Sequence, residues 1–125
     1  MRKTIVTVIA TLTAGLASAE VTDSAANGFT TVHEVVIEAE RAKAWVDAIE
    51  ISRWWSSDHT ISGDASRLSI DAAPLGCFCE TLGTKAGVVH LTVTSVMPMV
   101  MLRMTGGLGP LGLRGVDGNM IWEFE

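Results

Sequence analysis

Positive charge is scarce in this chain: nine Lys and Arg stand against fourteen Asp and Glu, a net charge of −5. Two of the nine, Arg2 and Lys3, sit at the extreme N-terminus, and without them seven basic residues face fourteen acidic ones, near −7. Nucleic-acid binding needs a basic face that displaces counterions, so that class of partner is excluded. Beyond the N-terminal residues there is no apolar run long enough for a membrane-spanning helix. Cysteine is limited to Cys77 and Cys79, too few for a disulfide framework and without a second ligand cluster. No Gly-x-Ser-x-Gly elbow exists, so Asp58, His59, Ser62 and Asp64 lack the frame of a serine hydrolase.

What is present begins with an export signal. Arg2 and Lys3 precede an apolar stretch from Thr4 to Leu16, and Ala17-Ser18-Ala19 supplies small residues for a signal peptidase. A cut after Ala19 is expected, placing the mature protein in the periplasm or outside the cell. It leaves 106 of the 125 residues, the size of one domain. There is no Cys at the cut for a lipid anchor. Residues 20–28 read as a flexible leader, and residues 29–125 as a single domain.

Period-two alternation from Phe29 to Ala39 predicts a strand. Glu40 to Ile49 shifts to helical spacing, with Ala42, Trp45, Val46 and Ile49 on one side. Ser52 is placed to cap a second helical turn holding Trp54 and Trp55, and residues 56–65 read as loop. Strands are expected at 67–71, 77–82, 88–97 and 99–105, with short connections that imply an antiparallel meander. Residues 106–118 hold six glycines and read as a mobile loop. A last strand runs from Met120, and the chain stops inside it, the mark of a fragment of a longer protein.

Five segments carry a resemblance: His33 to Ala39 running into a helix, Trp54-Trp55, His59 to Asp64, Gly76-Cys77-Phe78-Cys79-Glu80, and Gly106 to Leu111. Together they resemble the START-like (SRPBCC) superfamily of polyketide cyclases, closest to the bacterial domains similar to the activator of the Hsp90 ATPase. The resemblance covers nearly all of residues 29–125. It implies an α+β helix-grip fold, a curved antiparallel sheet wrapped around a long C-terminal helix with a cavity between. Two short helices would follow the first strand, and the last strands and the long helix would be absent from this chain. Export separates the chain from an Hsp90-type chaperone, which is cytosolic.

Several residues are candidates for chemistry. A hairpin turn centred on Thr84 and Lys85 would set Cys79 opposite His90 and Cys77 opposite Thr92. Two thiols and an imidazole would then share a face, a possible site for a soft metal; a disulfide between cysteines two apart on an extended strand is sterically awkward. The other face carries Phe78, Glu80, Leu82, Val89, Leu91 and Val93. A lone carboxylate there would be desolvated with its pKa raised, as a general acid or a ligand anchor requires. In that register His90 points away from Glu80. His59 suits a hydrogen-bonding position at a cavity mouth, and the glycine-rich segment, though it spells Gly-x-Gly-x-x-Gly, lacks the strand-helix-strand setting of a nucleotide site and reads as a lid.

The expectation is therefore an exported binding domain for a small apolar or amphipathic molecule or lipid, with no cofactor. Trp54, Trp55, His59, Phe78, Glu80, Leu91, Met104 and Trp122 would line the site. The alternatives are a cyclase- or hydrolase-type enzyme using Glu80 or His59 as general acid or base, and metal binding at Cys77, Cys79 and His90. Nothing in the sequence names a reaction, and the reading leans toward binding.

Overall fold

The computed structural model describes residues 18–125. The expected export signal therefore lies, up to residue 17, outside the described residues. The chain divides after Glu38 into two compact units.

The first unit holds a hairpin of β1 (Ser18–Ala25) and β2 (Gly28–Glu34). Residues 20–25, read from the sequence as flexible leader, are extended and paired. Their small polar side chains gave no period-two signal because every residue of β2 is exposed, so neither face of the hairpin had to be apolar.

The second unit opens with α1 (Arg41–Ile49). Its buried stripe is Trp45 flanked by half-buried Ala44, Ala48 and Ile49; Ala42 and Val46, expected on that stripe, are exposed. Three 3₁₀ turns follow, at Ile51–Arg53, Ser57–His59 and Ala65–Arg67. Ser52 lies within the first of these, and Trp54 and Trp55 come after it. Then come five strands: β3 (Leu68–Ile70), β4 (Cys77–Gly83), β5 (Ala86–Met97), β6 (Met101–Gly106) and β7 (Gly118–Glu123). They form one antiparallel sheet in chain order, the meander that the short connections imply. A six-residue 3₁₀ segment, Gly109–Arg114, occupies part of the glycine-rich loop between β6 and β7.

One face of this sheet is the core. Leu68, Phe78, Leu91, Val93, Leu102 and Met104 are buried there together with Trp45, Ile51 and Ala65 from the preceding turns. The opposite face is wetter, and Thr94, Arg103, Thr105 and Asn119 bond to one another across β5, β6 and β7. This one-sided burial is why alternation located the strands. Register irregularities interrupt the β4–β5 and β5–β6 ladders, and bulges of this kind bend the strands that carry them.

Candidate functional site

The β4–β5 hairpin turns at Thr84-Lys85, with Gly83 opposite Ala86 and, at the far end, Cys77 opposite Thr92. Between those points the ladder slips by one residue and slips back, so Cys79 faces Val89 rather than His90. His90 is the extra residue of the second irregularity. In a regular strand it would point away from Leu91; at a bulge, neighbouring side chains turn to the same side. Both are buried, at 8% and 3% exposure.

That slip overturns the expectation that His90 and Glu80 face apart. His90 Nε2 lies 2.9 Å from Glu80 Oε2. The same carboxylate accepts the backbone N–H of Ile61 at 3.1 Å and of Ser62 at 2.5 Å. Glu80 is 1% exposed, yet none of its oxygens lacks a partner. Burial pushes its pKa up, but the bonds from Ser62, Ile61 and His90 outweigh it and hold the carboxyl at about 2. The expected raised pKa is thus corrected: three donors aimed at one carboxylate favour the charged form more than desolvation disfavours it. Glu80 is ionised at neutral pH and cannot serve as a general acid.

An ionised carboxylate only accepts hydrogen bonds. A neutral His90 ring that donates to Glu80 carries its proton on Nε2, which leaves a lone pair on Nδ1. Nδ1 has no hydrogen-bond partner among the described residues and turns toward Gly109, where an added Cβ would sit 3.3 Å from it. The glycine loop is fastened over this spot, since the Leu108 N–H donates to the His90 carbonyl at 3.2 Å.

Above the dyad is a cavity of about 450 Å³. Its walls include Trp55, Leu68, Phe78, Leu108 and Pro110, with Asp58, His59 and Thr60 on one side and His90 on the floor. Trp55 is held by its Nε1–H, which donates to the His59 carbonyl at 3.1 Å, and that bond also sets the turn carrying His59. Trp55 meets Phe78 edge-on at 5.4 Å, and Phe78 meets the His90 ring at 5.2 Å.

Of the residues expected at the site, Trp55, His59 and Phe78 line the cavity, and Glu80 supports it from below through His90 and the Ile61-Ser62 backbone. Leu91 and Met104 belong to the packed core. Trp54 is half exposed and lies between Trp55 and Trp122, with tilted rings at 5.6 and 6.2 Å, and is not among the cavity's lining residues. Cys77 and Cys79 form a disulfide with Cα atoms 5.3 Å apart, closer than the roughly 6.6 Å of two regular strand residues. The irregular register at Phe78/Cys79 accompanies this shortening and removes the steric objection. With both sulfurs bonded and His90 turned to Glu80, the three are not brought together as a metal set. Ser62 Oγ donates to the Asp64 carbonyl instead of joining His59.

Sequence reasoning missed His90 as a cavity residue, as well as the wall formed by Leu108, Gly109 and Pro110. The glycine loop's reading as a lid pointed toward the second of these. No protein-family model, curated protein or solved structure matches the chain.

Proposed function

We propose that this chain is an exported binding domain for a small, mostly apolar molecule, held in the cavity between the Trp55–Thr60 segment, the β4–β5 hairpin and the glycine loop. The observation that carries the reading is the cavity itself: about 450 Å³, walled by two aromatic rings and aliphatic side chains. Ligand pockets have this size and character, with few polar groups that fix orientation. Affinity comes from apolar area removed from water at about 25 cal/mol per Å², and His90 orients the polar end. In a helix-grip frame this would be the cavity beneath the curved sheet. Export is part of the proposal, and the mature N-terminus would be Glu20, within β1.

Para-nitroanisole, a neutral aromatic probe, should bind the purified protein with saturable one-to-one stoichiometry. Leu108→Trp, which fills the cavity from the loop side, should abolish that binding. No binding to the parent protein, or equal binding to the filled variant, would contradict the reading.

A further inference from the structure

His90 is more than a polar spot on an apolar wall. Its Nε2–H is committed to Glu80, and Glu80 is committed to two backbone N–H groups of a different segment. The ring therefore cannot rotate or change tautomer without breaking the Glu80 bond, and in the neutral ring the nitrogen left beside Gly109, at the cavity wall, carries a lone pair. No side chain among the described residues bonds to that nitrogen, so it is free to accept a hydrogen bond from a molecule in the cavity.

We propose that the cavity selects ligands bearing an acidic O–H, of the phenol or enol class, and that His90 Nδ1 takes the proton of that O–H. The inference rests on the cavity being a binding site. In the transfer the ligand O–H bond breaks and an N–H bond forms at Nδ1. The electron pair stays on the ligand oxygen, and the imidazolium lies between that oxyanion and the Glu80 carboxylate. No other bond changes. Glu80 acts as a positioning residue, because it holds the ring and stabilises the imidazolium without touching the ligand.

The groups around His90 are few. Glu80 faces it from β4; Asp58 and His59 face the cavity from the Ser57–His59 turn; Leu108, Gly109 and Pro110 of the loop bring no charge. Asp58 and the chain's overall negative charge disfavour a ligand that arrives already ionised. A neutral acid that ionises only after entry avoids this repulsion at the encounter. This is why a weak O–H acid fits better than a carboxylate, which arrives charged at neutral pH.

The test compares para-nitrophenol with para-nitroanisole, which has the same ring but no acidic proton. Absorption reports directly whether the bound phenol is ionised. Bound to the parent protein, para-nitrophenol should show the phenolate band at a pH one unit below its own solution pKa. His90→Gln should lose the band and weaken phenol binding roughly tenfold more than it weakens anisole binding, the worth of one hydrogen bond. If both probes bind the parent protein and the phenol stays protonated, the proton-acceptor inference fails while the cavity reading stands. If neither binds, both fail. Because the parent protein alone decides the first comparison, the outcome does not depend on the variant's folding.

Discussion

Glu80 and His90 are ten residues apart on paired strands and meet at 2.9 Å only because the hairpin register slips between them. The carboxylate is buried and satisfied by three donors, two of them from backbone eighteen and nineteen residues earlier in the chain. This one relationship ties the sheet, the loop after the tryptophan pair and the cavity floor together, and the following predictions draw on it.

Acid should weaken the fold through Glu80. Its pKa falls from 4.5 to about 2 on folding, so its contribution is complete above 4.5 and disappears as pH drops through the folded value. The contribution amounts to up to about 3 kcal/mol. Denaturant unfolding at a series of pH values should show this decline, and Glu80→Gln should flatten it. At neutral pH the Gln variant should be about 2 kcal/mol less stable, because its amide cannot accept from all three donors.

The loop glycine nearest His90 provides a matched pair. Gly109 and Gly115 both have φ +70, but an added Cβ at Gly109 meets Nδ1 at 3.3 Å and one at Gly115 meets nothing within 4 Å. Alanine at either position should cost about 1 kcal/mol of backbone strain. Only Gly109→Ala should also reduce probe binding, by roughly tenfold or more through loss of the contact to Nδ1. Calorimetric titration of both variants reads the difference.

Much of this architecture was legible from the residues. Strands β3 to β7 were found because one face of each is core and the other is wet. Thr84-Lys85 marked the turn, and a lone carboxylate in an apolar row singled out Glu80 as a candidate for burial. The fate of Glu80 was not legible, because its partners come from Ile61 and Ser62, whose N–H groups carry no sequence signature. His90 was hidden for a related reason. A bulge between two compensating slips leaves the alternation of β4 intact and is settled by packing, so local pattern placed His90 on the wrong face.

The sheet faces should respond unequally to truncation. Leu102, near the start of β6, is fully buried, while Ile121 of β7 is 53% exposed on the other side. Leu102→Ala should cost about 2–5 kcal/mol. Ile121→Ala should cost less than about 1 kcal/mol, and equal losses in thermal unfolding would mean that the core face is misassigned.

Replacing both Cys77 and Cys79 by Ser should have a small and local effect. A bridge closing so short a loop contributes only about 1–2 kcal/mol by loop-closure entropy. It lies on the face opposite Glu80, so probe binding should not change. Mass analysis after thiol blocking should find no free thiol in the parent protein.

The central claim is that Glu80 fixes His90 with its proton on Nε2 and an open lone pair on Nδ1 facing the cavity. Long-range proton–nitrogen NMR correlation of the His90 ring, recorded where the ring is neutral, reads this directly. The account predicts a protonated Nε2 and an unprotonated, pyridine-like Nδ1 in the ligand-free protein. A ring protonated on Nδ1, or one exchanging between both tautomers, would contradict it.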